Sequence, residues 1–277
     1  MIERSVLTGK SILVTGGSMG IGEAVARACL ESGATVTICA RGAAALEKAT
    51  ETFQAAGFGE SIASVSIDVS KPPDVARAFD AAAARFGRID GVVHAAAVLA
   101  PIGSILDVDP QAWLRTIEID LYGSFLVTRE ACARMRERGG RIVLFAGGGA
   151  STPYPNFTAY ACSKVAVVRF AESVAQEMQP FGIEINALAP GLVATRMIEQ
   201  TRDAGYGSPN VPVVEPEIAA RAAAFLLSEA ASGITGKFVA PNYDDYARWP
   251  EHIAELKSTD AFTLRRIVPK DRGMQWQ

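Results

Sequence analysis

Short apolar, β-rich runs alternate with segments of helical period along most of this chain, and that alternation restricts the fold more than any single motif. Residues 11–14 form an apolar run that stops at glycines, and residues 21–30 follow with helical spacing up to Gly33. Residues 35–40 read as a second strand, 43–56 as an Ala- and Glu-rich helix, 62–69 as a third strand, 75–86 as a helix and 91–95 as a fourth strand. A long helix at 114–138, a strand at 141–145, a second long helix at 159–179 and a strand at 184–189 continue the series. Parallel strands joined by right-handed helical crossovers bury both faces of their sheet. The predicted fold class is therefore α/β, a doubly wound parallel sheet (Rossmann fold) in three α/β/α layers.

With 277 residues, 49% of them apolar, the chain suits one large domain. We assign it residues 1–240, with a Gly- and Pro-bearing substrate lid at about 192–215 whose loosest part is 204–212. Pro216 opens a helix to residue 229, and 233–239 read as a final strand. Residues 241–277 form a C-terminal extension packed on the domain or on a neighbouring subunit. A net charge of −3 without a long basic run argues against nucleic acid. No apolar stretch approaches the roughly 20 residues of a membrane span, and Met1-Ile2-Glu3-Arg4-Ser5 lacks a signal-peptide pattern, so the expectation is a cytoplasmic protein with no membrane partner. Cys29, Cys39, Cys132 and Cys162 are widely spaced, without a CxxC pair or a nearby His. Neither a metal site nor a disulfide framework is expected from them.

Thr15-Gly16-Gly17-Ser18-Met19-Gly20-Ile21-Gly22 joins the first strand to the first helix. A glycine turn there presents backbone N–H groups and the positive helix end to a pyrophosphate. An acid at the end of the second strand would bind the ribose 2′-hydroxyl of NAD and repel a 2′-phosphate. Ala40 followed by Arg41 stands there instead. A guanidinium suits a phosphate, so NADP is the expected cofactor and NAD the alternative, with Arg41 then stacking on the adenine.

Tyr160 and Lys164 are one helical turn apart and share a face. A phenol with a pKa near 10 needs a neighbouring cation to work as an acid or base near pH 7. Together with the glycine loop, the pair points to hydride transfer between a nicotinamide and a carbonyl or alcohol carbon, with Tyr160 moving the proton.

Over roughly residues 8–240 the sequence resembles the classical short-chain dehydrogenase/reductase family. The motifs that carry the resemblance are the glycine run, Asp68-Val69, Tyr160-Ala161-Cys162-Ser163-Lys164, and Asn186-Ala187-Leu188-Ala189-Pro190-Gly191 with Thr195 following. The resemblance implies that Asp68 meets the adenine amine and Val69 lines its pocket. It further implies that Lys164 anchors the ribose, that Pro190, Gly191, Val193 and Thr195 hold the nicotinamide end, and that the chain forms a homodimer or homotetramer through its long central helices.

Four departures from the family pattern stand out. His94-Ala95-Ala96-Ala97 replaces Asn-Asn-Ala-Gly, which keeps Ala95 and Ala96 small beside the cofactor but removes polar side chains. Asp120 replaces the asparagine that helps hold a proton-relay water; it either holds the same water or acts as a new acid or base. The serine that donates to the substrate oxygen falls, thirteen residues before Tyr160, at Gly147. Losing such a donor costs ~10²-fold or more in rate unless it is replaced. Ser151 is the candidate replacement, with Thr152 beside it, and the triplet Gly147-Gly148-Gly149 also leaves room for a bulkier substrate. The tail is rich in Trp, Tyr and Arg, the composition of a contact surface. Arg265, Arg266 or Arg272 would favour an anionic substrate if the tail closed over a site; otherwise they merely solvate it. The expected function is NADP-preferring oxidoreduction of a small ketone or secondary alcohol. The alternatives are a nucleotide-binding sensor or structural subunit with little turnover, and an epimerase-like reaction on the same scaffold.

Overall fold

The computed structural model describes residues 6–206 and 212–274. The first strand, β1 (Ser11–Thr15), turns through the glycine run into α1 (Gly20–Glu31). There follow β2 (Thr35–Ala40), α2 (Ala43–Phe53), β3 (Ile62–Ser66), α3 (Pro72–Phe86), β4 (Gly91–His94), α4 (Pro110–Ile117) and α5 (Gly123–Met135). The second half continues with β5 (Gly140–Phe145), α6 (Thr158–Met178), β6 (Ile183–Leu188), β7 (Leu192–Val193), α7 (Arg196–Asp203), β8 (Val213–Val214), α8 (Pro216–Leu227), β9 (Phe238–Val239) and α9 (Ile253–Ser258).

Seven strands form a parallel sheet in the order β3-β2-β1-β4-β5-β6-β9. Ile12 and Val14 point into a core shared with α1, α2 and α8, whereas Leu13 points into one shared with α3, α5 and α6. Alternate residues thus feed opposite helix layers, and β1 and β4 are buried throughout because both their faces are covered. The order reverses between β1 and β4, where Thr15 and His94 are register partners at the carboxyl ends. Loops leaving adjacent strands in opposite directions open a crevice at that point.

The periodicity located the elements but not all of their limits. The third strand ends at Ser66 instead of 69, because Asp68 leaves the ladder to accept hydrogen bonds from the backbone amide and hydroxyl of Ser70. Only Phe238–Val239 of the expected 233–239 strand pairs with β6. In place of the missing ladder, Asn186 Nδ2 donates to the Ile234 carbonyl at 2.8 Å and the Lys237 amide donates to Asn186 Oδ1 at 3.0 Å. The single helix expected at 114–138 is two, α4 and α5, joined by a π-helical turn at Glu118–Tyr122. That wider turn buries the adjacent Ile119 and Asp120 together.

The tail packs against its own chain. Trp249 and Leu256 join the core beside α8, Trp249 lies 4.3 Å from the Phe262 ring, and the Leu264 amide donates to Glu172 of α6. Glu172 is twelve residues beyond Tyr160 on α6, roughly 18 Å along the helix. Arg265 pairs with Asp271 and Asp260, and Arg266 and Arg272 are exposed. Where it crosses α6 the tail is thus a long way from the phenol of its own chain.

Candidate active site

The glycine loop is shaped by contacts that leave no room for a side chain. A Cβ on Gly16 would stand 2.8 Å from the Ala96 amide nitrogen, and one on Gly22 would stand 2.2 Å from the Gly16 carbonyl oxygen. Gly16 and Gly20 have φ of 72° and 58°, a region that glycine enters without strain. Met19 precedes α1 in extended backbone, and no side chain caps the helix, so its first amides are left for an outside acceptor. Ser18 is half-buried and Met19 largely exposed at the rim, and Ile21 packs partly into the core. Facing the loop from across the crevice, the Thr195 methyl lies 3.2 Å from where a Gly20 Cβ would be. A pyrophosphate fits this cradle, which has uncapped helix amides on one side and Thr195 on the other. Ala substituted at Gly22 overpacks against backbone at a cost of ~1–3 kcal/mol or more. Gly22→Ala is therefore expected to weaken NADPH binding about tenfold or more, read by NADPH fluorescence titration.

The remaining cofactor candidates line the same crevice. Ala95 and Ala96 are half-buried beside Gly16, and Arg41 is exposed just past β2. Asp68 accepts from Arg115 of α4 at 2.7 Å as well as from Ser70, and Val69 is buried against Gly123. These hydrogen bonds and the Arg115 charge hold the Asp68 carboxyl below the usual carboxylate range, against the burial that pushes it up. No motif in the sequence marks Arg115 as the partner of Asp68. Val193 pairs with Val214, and Gly191 has φ of 81°. Asn242, in the tail, donates from Nδ2 to the Pro190 carbonyl at 2.7 Å and occupies the space a Gly191 Cβ would need. Nothing local in the sequence marks Asn242 as part of this turn. Residues 207–211 of the expected lid lie outside the described residues; α7 and the β7–β8 pair make up the rest.

Tyr160 and Lys164 share the buried face at the start of α6. The Lys164 ammonium donates to the Phe145 carbonyl at 3.1 Å, lies 3.5 Å from Asp120 Oδ2 and sits 5.4 Å from the Tyr160 ring centroid. Asp120 is fully buried. It accepts from the Val98 amide at 2.8 Å and from the Ser163 hydroxyl at 3.4 Å. Burial pushes its carboxyl up from the ordinary range, opposed by Lys164 and these hydrogen bonds. Burial also raises the Tyr160 phenol, and the charge of Asp120 and then Tyr154 push the same way. His94 exchanges a hydrogen bond with Thr15 Oγ1 through Nδ1 at 2.8 Å, and its Nε2 has no partner among the described residues. Burial first, and the Lys164 charge second, lower its pKa to about 3, so the ring is neutral near pH 7.

Around Tyr160 pack Leu99, Ile102, Tyr154, Phe157 and Met197, an apolar cluster. The phenol oxygen occupies the space above Gly147, where a Cβ would come within 2.3 Å of it. Ser151 and Thr152 are exposed beyond the turn closed by the Ala150 amide on the Gly147 carbonyl, and neither bonds to Tyr160.

A doubly wound sheet, a glycine cradle at its switch point and a buried Tyr/Lys pair beside it define a nicotinamide-dependent oxidoreductase. The comparisons agree. Residues 15–241 match the family model described as Enoyl-(Acyl carrier protein) reductase. The chain is 34% identical over 247 residues to "Dehydrogenase/reductase SDR family member 4" of Homo sapiens, covering 86% of this chain and 88% of that protein. Among solved structures, a variant of actinorhodin polyketide ketoreductase with NADPH superposes with a TM-score of 0.78 at 28% identity, covering 83% of this chain and 95% of that one. NAD+-bound xylitol dehydrogenase gives 0.79 at 26%, covering 84% and 98%. The chain belongs to the short-chain dehydrogenase/reductase family and is an oxidoreductase that moves hydride between a nicotinamide cofactor and a carbonyl or alcohol group.

Proposed function

We propose that this chain is an NADP(H)-preferring reductase of small ketones, with Tyr160 as proton donor and Lys164 as its electrostatic partner. The observation that carries the reading is the buried phenol beside a buried ammonium at the carboxyl end of β5. When bound, the reduced nicotinamide supplies the hydride. The chain's own part is to hold the carbonyl carbon beside it and deliver a proton to the oxygen. Because burial keeps the Tyr160 phenol protonated at neutral pH, the donor is ready for reduction without a prior ionisation. Lys164 has three N–H donors, of which Phe145 and Asp120 engage two; the third is free for a ribose hydroxyl or for the phenolate formed as Tyr160 gives up its proton. Asp120 holds the ammonium in place, and Leu99, Phe157 and Met197 keep water from the reacting carbon.

Arg41 supports the preference for NADP. It is exposed where the 2′-phosphate would lie, and no acid at Ala40 opposes it. A charged hydrogen bond in an exposed place contributes about 1.5 kcal/mol, so Arg41→Ala is expected to raise the Kd for NADPH about tenfold and leave that for NADH unchanged. Equal loss for both cofactors would remove this preference. No helix among the described residues is long and apolar enough to cross a membrane. The reading places the protein in the cytoplasm, in keeping with four free cysteines. It also sets a second copy against α5 and α6, where Tyr122, Phe125 and Val165 remain exposed. The experiment that tests the function is NADPH consumption with diacetyl, cyclohexanone, acetophenone and ethyl acetoacetate. Turnover with at least one ketone is expected; NADPH binding without any consumption would overturn it.

A further inference from the structure

The glycine triplet that replaces the family's serine is a bed for Tyr154. A Cβ at position 149 would stand 3.1 Å from Tyr154 Cβ, and one at 148 would stand 3.6 Å from Cε1 and 3.8 Å from Cζ. The Tyr154 ring therefore runs along the triplet from its root at Gly149 to its hydroxyl end at Gly148. The next residue, Gly147, is the one against which Tyr160 Oη rests. Adjacent Cα atoms are about 3.8 Å apart, so the two phenol rings rest on neighbouring residues of the same backbone.

Packing fixes the Tyr154 ring in this pose. It stacks on Phe157 with centroids 4.4 Å apart and planes 15° from parallel, and Phe157 meets Tyr206 edge-on. Its centroid is 6.4 Å from that of Tyr160, at an angle of 59°. The ring is half-buried in the apolar cluster, and its hydroxyl has no hydrogen-bond partner among the described residues. Gly149, with φ of 85° and a would-be Cβ 2.6 Å from Ala161 Cβ, admits no other residue without displacing this arrangement. Ser151 and Thr152 face solvent.

We propose that the Tyr154 hydroxyl is the second hydrogen-bond donor to the substrate oxygen, in the role the serine would fill at Gly147. The inference rests on the carbonyl reduction proposed above. Tyr154 keeps its proton throughout. The O–H bond that breaks is that of Tyr160, the one that forms is on the substrate oxygen, and the hydride from the reduced nicotinamide supplies the electron pair to carbon. A fixed donor beside the oxygen would stabilise the negative charge that develops there as hydride arrives.

The test is Tyr154→Phe, which keeps the ring and its stacking, compared with wild type and with Tyr154→Phe/Gly147→Ser on whichever of the four ketones wild type reduces. The expected result is a kcat lowered about 10²–10³-fold with KM, NADPH affinity and Tm little changed, since the lost interaction belongs to the transition state. The added serine is expected not to restore kcat, because its Cβ would stand 2.3 Å from Tyr160 Oη and displace the proton donor itself. An unchanged kcat in Tyr154→Phe, while wild type is active, overturns the proposal alone. A lowered Tm or NADPH affinity would mark Tyr154 as a packing residue and also overturn it. A wild type that consumes no NADPH with any ketone overturns the carbonyl-reduction reading itself, and this role with it.

Discussion

Tyr160→Phe is expected to lower kcat for ketone reduction by about 10²–10⁴-fold, the range of a positioned general acid, while NADPH affinity stays near that of wild type. Phenylalanine keeps the ring among Leu99, Tyr154 and Phe157 and removes only the oxygen above Gly147. Substrate and cofactor are held by other groups, so kcat and kcat/KM should fall together. The pH profile carries the same signature. Reduction needs the protonated phenol, whose pKa is raised by burial, by Asp120 and by Tyr154. The wild-type reduction rate should therefore be flat through neutral pH and fall only on the alkaline side, while alcohol oxidation, which needs the phenolate, should rise there. In Tyr160→Phe that alkaline limb should vanish. Steady-state NADPH consumption across pH checks both points, and a variant that retains wild-type kcat would show that another group moves the proton.

Asp120→Ala is expected to lower unfolding free energy by about 3–5 kcal/mol, the cost of removing one member of a buried ion pair. The variant leaves the Lys164 ammonium, itself almost fully buried, with only the Phe145 carbonyl, and leaves the Val98 amide without its acceptor. Asp120→Asn keeps an acceptor for Val98 and Ser163 and should cost less. Because the carboxylate opposes ionisation of Tyr160, Asp120→Asn should also shift the alkaline limb of ketone reduction to lower pH. The linkage has a definite sign. The folded chain holds the Asp120 proton more tightly than the unfolded chain does, so this group's contribution to stability is fullest below the unfolded carboxylate value of about 4 and is lost as pH rises through the folded value. Asp120→Asn should remove that part of the pH slope. Urea unfolding at several pH values measures it, and an Asp120→Ala variant as stable as wild type would show that the pair is not buried in solution.

Much of this site is legible in the sequence. The strand–helix alternation located six of the sheet's strands within a few residues, because side-chain period depends on neighbours two to four positions away. The i, i+4 spacing of Tyr160 and Lys164 placed both on one face of α6, and the glycine run placed a tight turn and an uncapped helix start at the end of β1. Limits set by distant partners were not legible: the break of the long helix at Glu118–Tyr122, the shortened third strand, and the last strand reduced to Phe238–Val239.

What the sequence determined by itself was thus the class of fold, the glycine turn and the pairing of Tyr160 with Lys164 on one helix face, since each is a local pattern of period, turn and spacing. Only the tertiary structure decided which groups surround that pair. Asp120 reaches Lys164 from the π-turn, Asn242 closes on Gly191 across some fifty residues of chain, and the tail crosses α6 at Glu172. Tyr154, not Ser151, lies along the glycine triplet beside Tyr160. The physical reason is that these contacts are fixed by packing between elements distant in the chain or by the path of an irregular loop, and neither writes a period into the sequence.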